Sequence, residues 1–232
     1  MAFHQKNTDQ IIESYIPVLP IFSGGWGEAV VRCSNTGKRF NREWIFRHFN
    51  YEFVSGKRYA ITGANGSGKS TLLQVIAGSL TYNEGSIEFS NQKPAAQIVH
   101  ELYTRISIAA PYLELIEEMT ANEFLSFHRS FKALSVSNAE ALDKVQLQNA
   151  ANKQIRYYSS GMKQRLKLAQ AFFSNTPILL LDEPTTNLDA DGIALYHQLI
   201  NDYTTEKLVI ISSNDKQEYD FCDEVIEMGK YK

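Results

Sequence analysis

AITGANGSGKSTLL, residues 60–73, places glycines at 63, 66 and 68 and a lysine at 69 between two apolar runs. Gly63, Ala64, Asn65, Gly66, Ser67, Gly68, Lys69 and Ser70 fit the phosphate-loop pattern GxxxxGK[ST] in full. The chemistry explains the pattern. Glycines let the backbone turn its N–H groups inward around a β-phosphate, and the N-terminus of the following helix adds partial positive charge. Lys69 reaches the β- and γ-oxygens, Ser70 offers a hydroxyl to Mg²⁺, and Thr71 continues the nucleotide-contacting stretch. A glycine-rich turn that binds nothing would not need its flanks in register. Here KRYAIT (57–62) reads as a strand before the loop, and Leu72, Leu73 and Val75 open a helix after it.

Further along lie two continuous apolar runs, PILLL at 177–181 and LVIIS at 208–212, each suited to a central strand of a parallel sheet covered on both faces. The first is followed at once by Asp182 and Glu183. A strand beside the loop strand ends next to the γ-phosphate, so Asp182 is placed to hold Mg²⁺ and Glu183 to accept a proton from an attacking water or to orient it. EAVVRC (28–33), YEFVSG (51–56), GSIEF (85–89) and RISIAA (105–110) also read as strands. From Met119 the period becomes helical. Thr120 and Glu123 form a capping-box signature, Phe124, Phe127 and Phe131 recur at helical spacing, an alanine-rich polar stretch covers 138–153, and SSGMKQRLKLAQAFF (159–173) starts on serines. The chain therefore reads as an α/β fold with a helical insertion.

Composition sets outer bounds. The chain has 232 residues, 44% of them hydrophobic, enough for one sizeable core with an inserted lobe. A net charge of −3 and a pI near 6.0 argue against nucleic acid as a partner. Cys33 and Cys222 lie far apart and outside any metal spacing, and His4, His48, His100, His128 and His197 are scattered. No stretch reaches the ~18 apolar residues of a membrane span. IIESYIPVLPIF (11–22) is broken by Glu13, Pro17 and Pro20, so work at a membrane would require recruitment by another subunit. Residues 1–27 carry no clear period and read as an extension of unknown role.

YSSGMKQRLKLAQAFFSNTPILLLDEPTTNLD (158–189) closely resembles the ATP-binding-cassette (ABC) ATPases, the nucleotide-binding domains of ABC transporters. A signature-like Ser159-Ser160-Gly161-Met162-Lys163-Gln164 stands one helix before the LLLDEPT run, and Thr186-Asn187-Leu188-Asp189 occupies the D-loop position. The resemblance covers roughly residues 28–229. It implies a phosphate-loop NTPase core of ABC type, with a mostly parallel sheet, an N-terminal antiparallel β part and an inserted helical subdomain. One cassette would then span 28–232, its core 28–111 and 174–232 and its helical subdomain about 112–173. The resemblance further implies ATP and Mg²⁺ as ligands and a head-to-tail dimer, in which Ser159, Ser160, Gly161 and Asp189 of one copy complete the site holding Lys69 and Glu183 of the other. Phe40, or else Trp44, would stack on adenine.

Two positions depart from the family. Ala110 stands where a glutamine usually touches the metal and attacking water, and Asn214 where a histidine usually contacts the γ-phosphate. Alanine can do neither, whereas asparagine still donates an amide hydrogen bond. Ser160 and Met162 replace the signature's more usual glycine and glutamine. The expectation is an ATPase subunit, slow or tightly gated, held at the cytoplasmic face of a membrane by a permease that docks around residues 111–120. The competing expectations are a soluble conformational clamp and a nucleotide-binding regulator that has lost catalysis.

Overall fold

The computed structural model describes residues 29–89, 93–94 and 102–232; the extension at 1–27 lies outside the described residues. The described chain opens with a long antiparallel hairpin, β1 (Val30–Phe40) and β2 (Glu43–Val54), turning at Asn41 with φ 53°. With β4 (Glu84–Phe89) and β5 (Lys93–Pro94) it makes a four-stranded antiparallel sheet in the order β2-β1-β4-β5. The hairpin is much longer than the two short strands the sequence suggests. Register shifts between Cys33 and Thr36 and again up to Arg39, together with positive φ at Asn35 (47°) and His48 (54°), insert extra residues into the ladder. Phe46, Phe49 and Phe53 are consequently all fully buried although spaced by three and four, a pattern that reads as helical in a sequence.

The second sheet is wholly parallel. It comprises β3 (Arg58–Thr62), β6 (Ile106–Ala109), β7 (Ile178–Asp182), β8 (Leu208–Ser212) and β9 (Glu224–Glu227), in the order β6-β7-β8-β3-β9. The sequence reading puts Asp182 and Glu183 on a strand beside the loop strand; instead β8 lies between β3 and β7, because β8 pairs in parallel with both. Both faces are covered, which accounts for the unbroken apolar runs. Leu179, Leu181, Val209 and Ile211 pack into one core with the helical insertion, while Ile178, Leu180, Leu208 and Ile210 pack on the other face with α1 (Lys69–Ile76) and the antiparallel sheet. Each such side chain contributes about 1.5–3 kcal/mol by leaving water.

Between β6 and β7 lie α2 (Ala121–Arg129), α3 (Asn138–Lys144) and α4 (Ser160–Phe173); α5 (Ala190–Tyr203) follows β7. The Thr120 and Glu123 capping box is formed in both directions. Of the three phenylalanines at helical spacing, only Phe124 enters the core. Phe127 and Phe131 are exposed and meet edge to face at 5.0 Å. The polar stretch 138–153 is not one helix. Gln146 adopts φ 60°, which ends α3, and a single 3₁₀ turn, Gln148–Ala150, follows. No helix among the described residues is long and apolar enough to cross a membrane.

Candidate nucleotide site

The loop from β3 to α1 owes its shape to three left-handed glycines, Gly63 (φ 141°), Gly66 (77°) and Gly68 (99°). A Cβ at Gly68 would stand 2.8 Å from Ile45 Cγ2, so β2 backs the loop directly; a Cβ at Gly66 would meet nothing within 4 Å, leaving that side open. Lys69 Nζ donates to the loop's own carbonyls, Gly63 O at 2.7 Å and Ala64 O at 3.4 Å. The ammonium thus lies across the loop. Residues 65–71 and Glu183 line a cavity of about 260 Å³, which brings together the two groups that sequence spacing assigned to phosphate and to water.

Asp182 ends β7 in register with Ser212 of β8 and is only 2% exposed. Burial raises its pKa; the Ser212 and Ser70 hydroxyls and the Lys69 charge act in the opposite sense without giving Oδ1 a hydrogen bond. Asp182 Oδ1, Ser212 Oγ and Ser67 Oγ are all buried without hydrogen-bond partners. An unpartnered buried carboxylate oxygen is costly, and one carboxylate with nearby hydroxyls and substrate phosphates is the oxygen donor set that Mg²⁺ takes. The residues present fit the ion. Beside Asp182, Glu183 is exposed and left-handed (φ 44°), and its N–H donates to Ser212 O at 2.9 Å. A non-glycine residue held there costs about 1–2 kcal/mol, and the turn aims its carboxylate at the cavity.

Asn214 also reaches the loop. Its Oδ1 accepts from Gly63 N at 3.1 Å and its Nδ2 donates to Asn65 Oδ1 at 3.3 Å. Ala110 is fully buried, and its carbonyl accepts from Lys167 Nζ at 3.3 Å. Two residues on, the Tyr112 phenol is pushed up to about 12, first by burial and then by the Asp182 carboxylate. Sequence reasoning missed Tyr112 and Ser212; for Ser212, the serines ending an otherwise apolar run, IISS, were the available signal.

The signature turn lies elsewhere. Ser159 caps α4 by accepting from Met162 N at 3.2 Å, and Gly161 sits so close to Asn187 O that a Cβ there would be 3.0 Å away. Gln164, buried, donates to Pro184 O at 2.7 Å, and Arg165 pairs with Asp189 at 3.1 Å. Asp189 in turn caps α5, and the Gly192 N–H and then Arg165 hold its carboxyl below the usual range. Ser159, Ser160 and Gly161 therefore gather beside the 185–189 turn of their own chain, and none of them lines the phosphate-loop cavity. Phe40, at the tip of β1, is 47% exposed with the Lys38 ammonium 5.0 Å from its ring, whereas Trp44 is taken up between Arg47 and Arg39.

A parallel sheet with a phosphate loop, a carboxylate pair at the end of the next strand but one and a helical insertion between them in sequence defines a phosphate-loop nucleotide-binding protein. The sequence profile of the ABC transporter family matches residues 46–186. The chain belongs to the ATP-binding proteins of that family, which are ATPases. It is 30% identical over 204 residues to the uncharacterized ABC transporter ATP-binding protein YybJ of Bacillus subtilis, covering 86% of this chain and 93% of that one. It is 29% identical to the lantibiotic transport ATP-binding protein SrtF of Streptococcus pyogenes, over 80% of each. Its fold matches that of a putative ABC transporter ATP-binding protein from Pyrococcus furiosus with a TM-score of 0.74 at 21% identity, covering 87% of this chain and 98% of that one.

Proposed function

We propose that this chain hydrolyses ATP as one half of a head-to-tail pair and drives a separate membrane permease. The observation that carries the reading is the division of the site: Lys69, Ser70 and Glu183 line one cavity, with the unpartnered carboxylate oxygen of buried Asp182 next in the chain to Glu183, while Ser159, Ser160 and Gly161 stand outside it. A second copy would bring its signature turn to the open side of the loop, over Gly66.

Each residue has a task. Lys69 leaves Gly63 O for the β- and γ-oxygens of ATP, and the loop N–H groups hold the β-phosphate. Ser70 and Asp182 would hold Mg²⁺, which when bound neutralises charge on the β- and γ-phosphates. Glu183 takes the proton of the water that attacks the γ-phosphorus as the bond to the β–γ bridging oxygen breaks. Asn214 offers its amide to a γ-oxygen, exchanging its bond to Asn65. Phe40 stacks on adenine. With no side chain beyond Cβ at Ala110 and no imidazole at 214, turnover is slow until the partner closes the site.

The permease is expected in the groove of about 240 Å³ between the segment after β6 and α2, lined by Leu113, Leu115, Ile116, Phe127 and Phe131. Exposed aromatics beside a hydrophobic cleft suit an amphipathic helix. The neighbouring acidic pair is less free than its sequence suggests. Glu117 pairs with Lys163 and Glu118 with Arg156, so reversing their charge would also loosen α4. The cleaner test is Phe127→Ser with Phe131→Ser: capture of the permease from detergent-solubilised membranes is expected to fall while ATP affinity holds. Undiminished capture would refute the dock.

A further inference from the structure

We infer that Glu218 is a positioning residue for hydrolysis, locking the turn that carries Glu183 to the turn that carries Asn214. The inference rests on the hydrolytic reading above. Glu218 closes the 3₁₀ turn Lys216–Glu218 that follows Asn214, and it is only 3% exposed. Its Oε1 accepts from Thr185 N at 2.6 Å and from Thr185 Oγ1 at 2.5 Å. Its own N–H donates to Asp215 O at 3.0 Å, and its carbonyl accepts from the hydroxyl of fully buried Tyr196 at 2.8 Å. The side chain is therefore anchored on the stretch after β8 and grips the stretch after β7.

The position of that grip gives it a consequence. Glu183 is left-handed and exposed, and its backbone is restrained on one side by its N–H bond to Ser212 O. On the other side, past Pro184, the next backbone donor is Thr185 N, and Glu218 holds it. Both restraints come from residues 212–218, the same stretch that presents Asn214 to Gly63 N. The water-facing carboxylate and the amide facing the loop are thus set by one rigid unit rather than by two independent turns. A buried carboxylate held by the neutral N–H and O–H of Thr185 is a poor way to gain stability, since an apolar side chain would avoid the desolvation cost. It is an effective way to fix an orientation, because charge-assisted bonds to an N–H and an O–H at one oxygen are short and directional.

The test uses the full chain with Mg-ATP turnover, binding of a fluorescent ATP analogue and thermal melting, for the wild type, Glu218→Gln, Thr185→Val and the double variant. Glu218→Gln keeps the volume but loses the charge at that oxygen. It is expected to lower kcat about tenfold or more while KM and analogue affinity stay within about twofold. Thr185→Val is expected to lower kcat in the same way, the double variant to be no worse than Glu218→Gln alone, and Thr185→Ser, which keeps both bonds, to retain wild-type turnover. Should Glu218→Gln fail to fold, the Thr185 pair still decides. Wild-type kcat in Glu218→Gln and Thr185→Val, or a fall in turnover matched by a fall in affinity, would overturn the inference alone. Absence of turnover in the wild type would overturn the hydrolytic reading and this inference with it.

Discussion

At Gly68 the backbone sits at φ 99° and an added Cβ would press on Ile45 at 2.8 Å, whereas at Gly66 the φ of 77° is met by open space. The two glycines should therefore separate strain from collision. Gly66→Ala is expected to cost about 1–2 kcal/mol, the left-handed penalty alone, and to keep measurable ATP affinity. Gly68→Ala adds a clash with β2 at the first turn of α1 and should melt lower and lose ATP binding. Melting curves with and without Mg-ATP compare them directly. At this scale much of the site is legible from spacing, because glycines, Lys69, Asp182 and Glu183 carry their roles in the local sequence. Ser212 and Glu218 are not legible in that way. Their partners, Asp182 and Thr185, are thirty or more positions away, and only the pairing of β7 with β8 brings them together.

Among the elements, α2 carries a titratable group that links it to α4. His128 Nε2 lies 2.9 Å from Ser174 Oγ, and because that hydroxyl donates to Gln170 O, the ring nitrogen is the donor. Burial, and then the charges of Lys132 and Arg129, lower its pKa from 6.5 to about 4; Lys167, Gln170 and Glu114 line the same groove. Between those values the unfolded chain binds the proton and the folded chain does not. Stability from this group is thus complete above pH 6.5 and is lost as pH falls towards 4. The melting temperature of His128→Gln should fall less steeply than that of the wild type over this interval, and parallel curves would contradict the assignment. The helices were readable from caps, since Thr120 with Glu123 and Ser159 announce α2 and α4. The β1–β2 hairpin was readable only at its two ends, EAVVRC and YEFVSG, because its bulges at Asn35 and His48 replace the alternation that marks a strand in between.

Across the whole molecule, the signature turn is joined to the 182–189 segment by Gln164, Gly161 and Arg165, and the segment after β6 is joined to α4 by Lys163 and Lys167. The groove proposed for a permease and the turn proposed for a partner's phosphate thus lie on one helix. Movement of α4 would alter both, so the proposed dock and the proposed composite site would share a lever even where Ala110 supplies none. In the proposed cycle two such chains trap ATP between them and then hydrolyse it. The most direct test is Mg-ATP turnover of the purified chain beside Glu183→Gln, with size-exclusion chromatography of both in ATP. Turnover in the wild type, with an ATP-stabilised dimer persisting only in Glu183→Gln, is the predicted result. Nucleotide bound by both without turnover or dimer formation in either would contradict it.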